Sequence, residues 1–207
     1  MSMKGFLRWI ILGILIIIGI FFAGYIFQFF APAQPPEFHI HADFKMIAND
    51  TPIDFSTNKY MSTETRVLDP YIHLHDGESN LIHMHAPNQT LGKFFRSIGF
   101  QLTSTCFTLD TNVSYCNDGS KTLKLFVNGQ PNTQFENYIF NDLDRILITY
   151  GDDSPEAIAQ QIASVSDEAC IESNKCPERG SPGDESSCSV AGGCVVPGLA
   201  VTPDSNS

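Results

Sequence analysis

The sequence is poor in positive charge. Twelve Lys and Arg stand against 23 Asp and Glu in 207 residues, a net charge of −11. That balance excludes a nucleic-acid binder, which needs a basic footprint on its surface. No Cys-x-x-Cys occurs, so a thioredoxin-type redox site is not expected. Gly-x-Ser-x-Gly, the phosphate loop, Gly-x-Gly-x-x-Gly and His-Glu-x-x-His are also missing, which removes the usual signatures of esterases, nucleotide binders and zinc proteases. A further absence is local: from Trp9 to Phe30 there is no charge, and Gln28 is the one strongly polar residue.

At about 1.5 Å per residue this run reaches about 33 Å, enough for a hydrocarbon core of about 30 Å. A single N-terminal transmembrane helix is therefore expected over 9–30. Lys4 and Arg8 precede it and Glu37 is the first acidic residue after it, which leaves residues 1–8 cytoplasmic and the rest extracytoplasmic. Ala31-Pro32-Ala33 would also suit signal-peptide cleavage, but the apolar run is longer than the usual 7–15 residues. Residues 31–37 read as a Pro-rich spacer. Without the first 30 residues, ten basic residues face 23 acidic ones, a net of −13 that favours solubility and attracts cations.

All six cysteines lie beyond the apolar run: Cys106, Cys116, Cys170, Cys176, Cys188 and Cys194. In an oxidising compartment an even number reads as disulfides. Six cysteines allow about 15 pairings, among which local pairing is preferred here.

Residues 38–47 alternate: Phe38, Ile40, Ala42, Phe44 and Met46 on one face, His39, His41, Asp43 and Lys45 on the other, the period of a half-buried strand. Residues 48–70 read as a long polar loop. Tyr71–His75 and Leu81–His85 flank Asp76-Gly77-Glu78-Ser79-Asn80 as a hairpin. Thr90 is a candidate N-cap for a helix ending at Gly99, with Leu91, Phe94, Phe95 and Ile98 on one face. Strands follow at 123–127 and 144–150. Residues 152–166 should hold a short helix starting at Ser154-Pro155, and 167–207 should form an irregular, Cys-containing flexible tail. The expected class is α+β, with the extracytoplasmic domain at 38–151. Within 71–151, Thr90-Leu-Gly-Lys-Phe-Phe, then Phe-Val-Asn-Gly and Asp-Arg-Ile-Leu-Ile-Thr-Tyr-Gly, resemble extracellular β-grasp (ubiquitin-like) modules. The resemblance implies a fold and carries no functional residue across. The strand at 38–47 is an addition to it.

The histidines stand out. All six fall in His-x-His pairs: His39/His41, His73/His75 and His83/His85. Random placement would give about 0.15 such pairs. Residues two apart on a strand share a face, with Cβ atoms about 6.5–7 Å apart. Pairing 73 with 83 or 75 with 83 would put four histidines on one face, whereas a one-residue slip would separate the pairs. The interleaved Ile72, Leu74, Ile82 and Met84 are apolar, which favours one histidine face and one core face. Neutral imidazoles suit divalent transition metals, Zn or Cu ahead of Fe or Ni, and Asp43 is a candidate carboxylate ligand. Asp76 and Glu78 at the hairpin tip are candidates to back the ligands or act as a base. Met46 and Met84 read as core filler.

The first expectation is thus a membrane-anchored, extracytoplasmic metal-binding protein using His39, His41, His73, His75, His83, His85 and Asp43. Alternatives are a metal-dependent enzyme with an open coordination position, or a non-catalytic surface interaction module; a non-metal use of the clustered histidines would be a pH switch.

Overall fold

The computed structural model describes residues 3–30, 38–63, 65–182, 187–189 and 193–195. It divides into two units, Met1–Glu37 and Phe38–Ser207. The first is one helix, α1 (Met3–Phe30). Its described side chains are Gly5, Trp9, residues 12–22, Gly24 and Tyr25. Among the described residues no helix is long and apolar enough to cross a membrane. The span expected over 9–30 therefore draws on the sequence alone, and the spacer at 31–37 lies outside the described residues.

The second unit is mixed α and β. Its strands are β1 (Ile40–Ala48), β2 (Thr51–Pro52), β3 (Ile72–His73), β4 (Leu81–Met84), β5 (Gln101–Leu102), β6 (Cys106–Thr108), β7 (Ser114–Cys116), β8 (Thr122–Val127), β9 (Gln130–Asn132) and β10 (Asp144–Gly151), with a distant pair, β11 (Ser187–Ser189) and β12 (Gly193–Val195). Its helices are α2 (Leu91–Ser97), α3 (Pro155–Ala163) and α4 (Ala169–Glu172). The main sheet runs β3-β4-β1-β10-β8-β9, with β2 also on β1. β1 lies antiparallel to β4 and parallel to β10. The segment expected as an addition at 38–47 is thus the middle of the sheet. Its alternation looked like that of one more half-buried strand, and sequence carries no signal for a parallel partner a hundred residues away.

The even-numbered face of β1 makes the core. Ala42, Phe44 and Met46 pack against Leu91, Phe94 and Phe95 of α2, all at most 1% exposed. Thr90 caps α2 as expected, its side chain accepting from the Lys93 amide at 3.2 Å. Gly92 permits close approach: a Cβ there would meet the Glu136 carbonyl oxygen at 2.7 Å. The 48–70 segment contributes more than a loop would, because Phe55, Tyr60 and Met61 enter the core. Ser154 caps α3 through the Ala157 amide.

The odd-numbered face of β1 meets the C-terminal segment. Lys45 Nζ donates to Ser164 Oγ at 3.0 Å, and Ile47 packs with Leu147 and Val165. Both Asp43 carboxylate oxygens accept backbone amides at 2.9 Å, from Glu168 and Ala169. The start of the segment expected as a flexible tail, residues 168–173, is therefore folded onto the sheet. Cys170–Cys176 closes this segment, and Cys106–Cys116 bridges β6 and β7. In the β11–β12 pair Cys188 stands opposite Cys194, though their side chains lie outside the described residues.

Candidate metal centre

Three neighbouring strands bring the histidines together. His41 stands opposite His83 across β1 and β4, and His73 opposite His83 across β3 and β4. The hairpin register is one of those that put both of its pairs on a single face. The interleaved Ile72, Leu74, Ile82 and Met84 are fully buried on the other. Met46 and Met61 are core residues too.

The six rings form a closed circuit. Centroids follow in the order His41–His39 at 4.4 Å, His39–His85 at 4.3 Å, His85–His73 at 4.9 Å, His73–His75 at 5.2 Å, His75–His83 at 3.7 Å and His83–His41 at 4.7 Å. His41, His73, His75 and His83 are no more than 2% exposed, while His39 and His85 are half-buried. Two groups offer nitrogens within 4.8 Å of one another: His39, His83 and His85, and His73, His75 and His85. An ion bound at about 2.0–2.1 Å from each nitrogen needs them about 3.4 Å apart. Small side-chain rotations cover that difference.

The other nitrogen of four of these rings is held by an acceptor. His73 Nδ1 meets the Asp69 carbonyl at 2.6 Å, His75 Nδ1 the Asp76 carboxylate at 2.6 Å, and His83 Nε2 the Glu78 carboxylate at 3.1 Å. His41 Nδ1 meets Ser173 Oγ at 2.7 Å, and that hydroxyl donates to Asp142. Carbonyls and ionised carboxylates only accept, and a hydroxyl already donating can only accept from the ring. The hydrogen bonds therefore assign the ring proton to the backed nitrogen and turn the lone pair of the other inward. His73 Nε2 and His83 Nδ1 are buried without a hydrogen-bond partner. A buried nitrogen left unbonded is costly in an apoprotein and is what a ligand atom requires.

Burial also favours the neutral form of His73 and His83. It pushes His73 down to about 4, aided by the neighbouring His75 and opposed by the bond to Asp69. Burial first, then the surrounding imidazoles, hold His83 well below the ordinary histidine value. Neutral imidazole is the ligating form.

No family model, curated protein or solved structure matches this chain.

Of the residues singled out in the sequence, the structure brings the six histidines into one cluster and sets Asp43 to a different task. Its carboxylate caps α4, and it belongs to neither nitrogen group. Asp76 and Glu78 back His75 and His83, as their place at the hairpin tip led one to expect. The Asp69 carbonyl, Ser173 and Asp142 were missed. None shares a motif with the histidine it serves, and Ser173 lies 132 residues from His41.

Proposed function

We propose that this chain is a membrane-anchored, extracytoplasmic metal-binding protein that takes Zn²⁺ or copper into its histidine cluster. The observation that carries the metal reading is the pair of buried, unbonded ring nitrogens, His73 Nε2 and His83 Nδ1, on rings whose opposite nitrogens are held by acceptors. A cluster built for solvent would leave its nitrogens wet. An all-imidazole donor set suits Zn and Cu. The anchor rests on the uncharged run at 9–30, and the compartment on the two disulfides, which persist in oxidising spaces. The parallel central pair, the order β4-β1-β10-β8-β9 and the single helix α2 crossing between the two halves of the sheet support a β-grasp reading in which 38–48 supplies the first strand.

The decisive test is metal analysis of the full chain after dialysis against Zn²⁺ or Cu²⁺. Less than about a tenth of an equivalent would sink the metal reading. For the anchor, the chain should stay with membranes through an alkaline carbonate wash; its release would overturn that part alone.

A second reading, a metal-dependent enzyme, is favoured by one feature. A cavity of about 220 Å³, lined by Asp43, Glu78, Ser79, Asn80, Ser166 and Glu168, lies beside the carboxylate that backs His83. Turnover of an activated ester by the zinc-loaded chain, lost in Glu78→Gln, would support it.

A further inference from the structure

We infer that the histidine face holds two metal ions, one on each side of β4. This rests on the metal reading above and goes beyond it in the number and position of the ions. The six histidines come in three pairs from adjacent strands or their ends, with strands about 4.8 Å apart. The pairs are staggered: His41, His83 and His73 lie level across β1, β4 and β3, His39 and His85 lie just past one end of β1 and β4, and His75 lies just past β3 toward the opposite end. The two nitrogen groups divide across these strands. His39, His83 and His85 join β1 to β4, whereas His73, His75 and His85 join β3 to β4. Each group contains its own buried nitrogen without a hydrogen bond: His83 Nδ1 in the first, His73 Nε2 in the second. A single ion would satisfy one of these and leave the other buried and bare.

His85 is common to both groups, and His41 belongs to neither. The His41 ring lies 4.4 Å from His39 and 4.7 Å from His83, so a turn of that ring lets it take the place of His85 on the β1 side. The inference thus assigns two sets of three, His39/His41/His83 and His73/His75/His85, which meet at two close ring pairs, His39–His85 at 4.3 Å and His75–His83 at 3.7 Å. Within these sets the ring centroids lie 4.4, 4.7 and 5.9 Å apart, and 5.2, 4.9 and 6.3 Å apart.

Two divalent ions bring four positive charges to a buried face of neutral ligands. Carboxylates offset them on both sides. Glu78 and Asp142 back the β1 set, through His83 and through Ser173 to His41, and Asp76 backs the β3 set through His75. Three ligands per ion leave each centre a position for water or a bridging group.

Dialysis of the full chain against Zn²⁺ near neutral pH, followed by metal and protein quantification, should find two equivalents per chain. His39→Gln and His73→Gln should each retain one. One equivalent in the wild type overturns the two-ion inference and leaves the metal reading standing; none overturns both. Two equivalents that neither substitution reduces would place the ions elsewhere and overturn both. Should either variant misfold by circular dichroism, Cu²⁺ loading of the wild type decides. With two equivalents bound, the spin count by electron paramagnetic resonance should fall below the total copper, because ions so close couple. A spin count equal to the total copper would overturn a paired site.

Discussion

A strand histidine can serve solvent, core or a ligand, and the partner of its second ring nitrogen decides among them. At His41 that partner is Ser173, held in turn by Asp142. Ser173→Ala removes the acceptor and lets the ring turn. Affinity for Zn²⁺ should fall about 10-fold, measured by chelator competition, with the fold unchanged by circular dichroism. The depressed pKa of His73 makes a second prediction. Its folded value of about 4 lies below the unfolded value of about 6.5. The unfolded chain therefore binds more protons in this window, and stability falls as pH falls. Metal-free protein should be fully stable above about pH 6.5 and lose roughly 3 kcal/mol from this residue as pH drops to about 4. His83 adds to the loss in the same direction. Denaturant midpoints across that range check it; a flat profile would contradict neutral burial.

Among the elements, the hairpin and β1 were largely legible and the C-terminal segment was not. The alternation at 38–47 and the apolar residues between the histidines fixed which face of each strand joins the apolar core, because side chains in a strand repeat every two residues. That the histidine face is buried as well, where a half-buried strand was expected, depended on the neighbouring segments. Parity narrowed the register to one that unites the pairs. The role of Asp43 depended on α4, a four-residue helix that no periodicity announces. As a cap, Asp43 stabilises the segment that carries Ser173. Asp43→Asn keeps one good acceptor and loses the other, so stability should fall by about 1–2 kcal/mol while the number of bound ions is unchanged. Equilibrium unfolding beside metal analysis distinguishes this from a ligand role, which would lower the ion count.

For the whole molecule, the cluster lies on the β3-β4-β1 part of the sheet, and the disulfide-closed C-terminal segment reaches its edge. Metal should therefore tie the three strands and lock the unit. Zn²⁺ at a hundred times its dissociation constant should add about 2.7 kcal/mol per independent ion. The midpoint of thermal unfolding should rise accordingly and return to its starting value on adding a chelator. The net charge of −11 helps gather cations without choosing among them, so raising ionic strength should slow loading more than it weakens final affinity.

The sequence by itself determined the inventory of histidines, their pairing on strand faces and the apolar side of each strand, and it favoured the local cysteine bridges that the structure shows at 106/116 and 170/176. These follow from short-range geometry: a period of two, a capping threonine, a ten-residue or six-residue separation. Only the tertiary structure decided that β1 is central and parallel to β10, that Asp43 caps a helix, and that Ser173 and Asp142 orient His41. Apart from the Ser173–Asp142 bond, which spans 31 positions, those contacts join residues more than a hundred positions apart. Hydrophobic burial brings such segments together without any motif that sequence spacing could register.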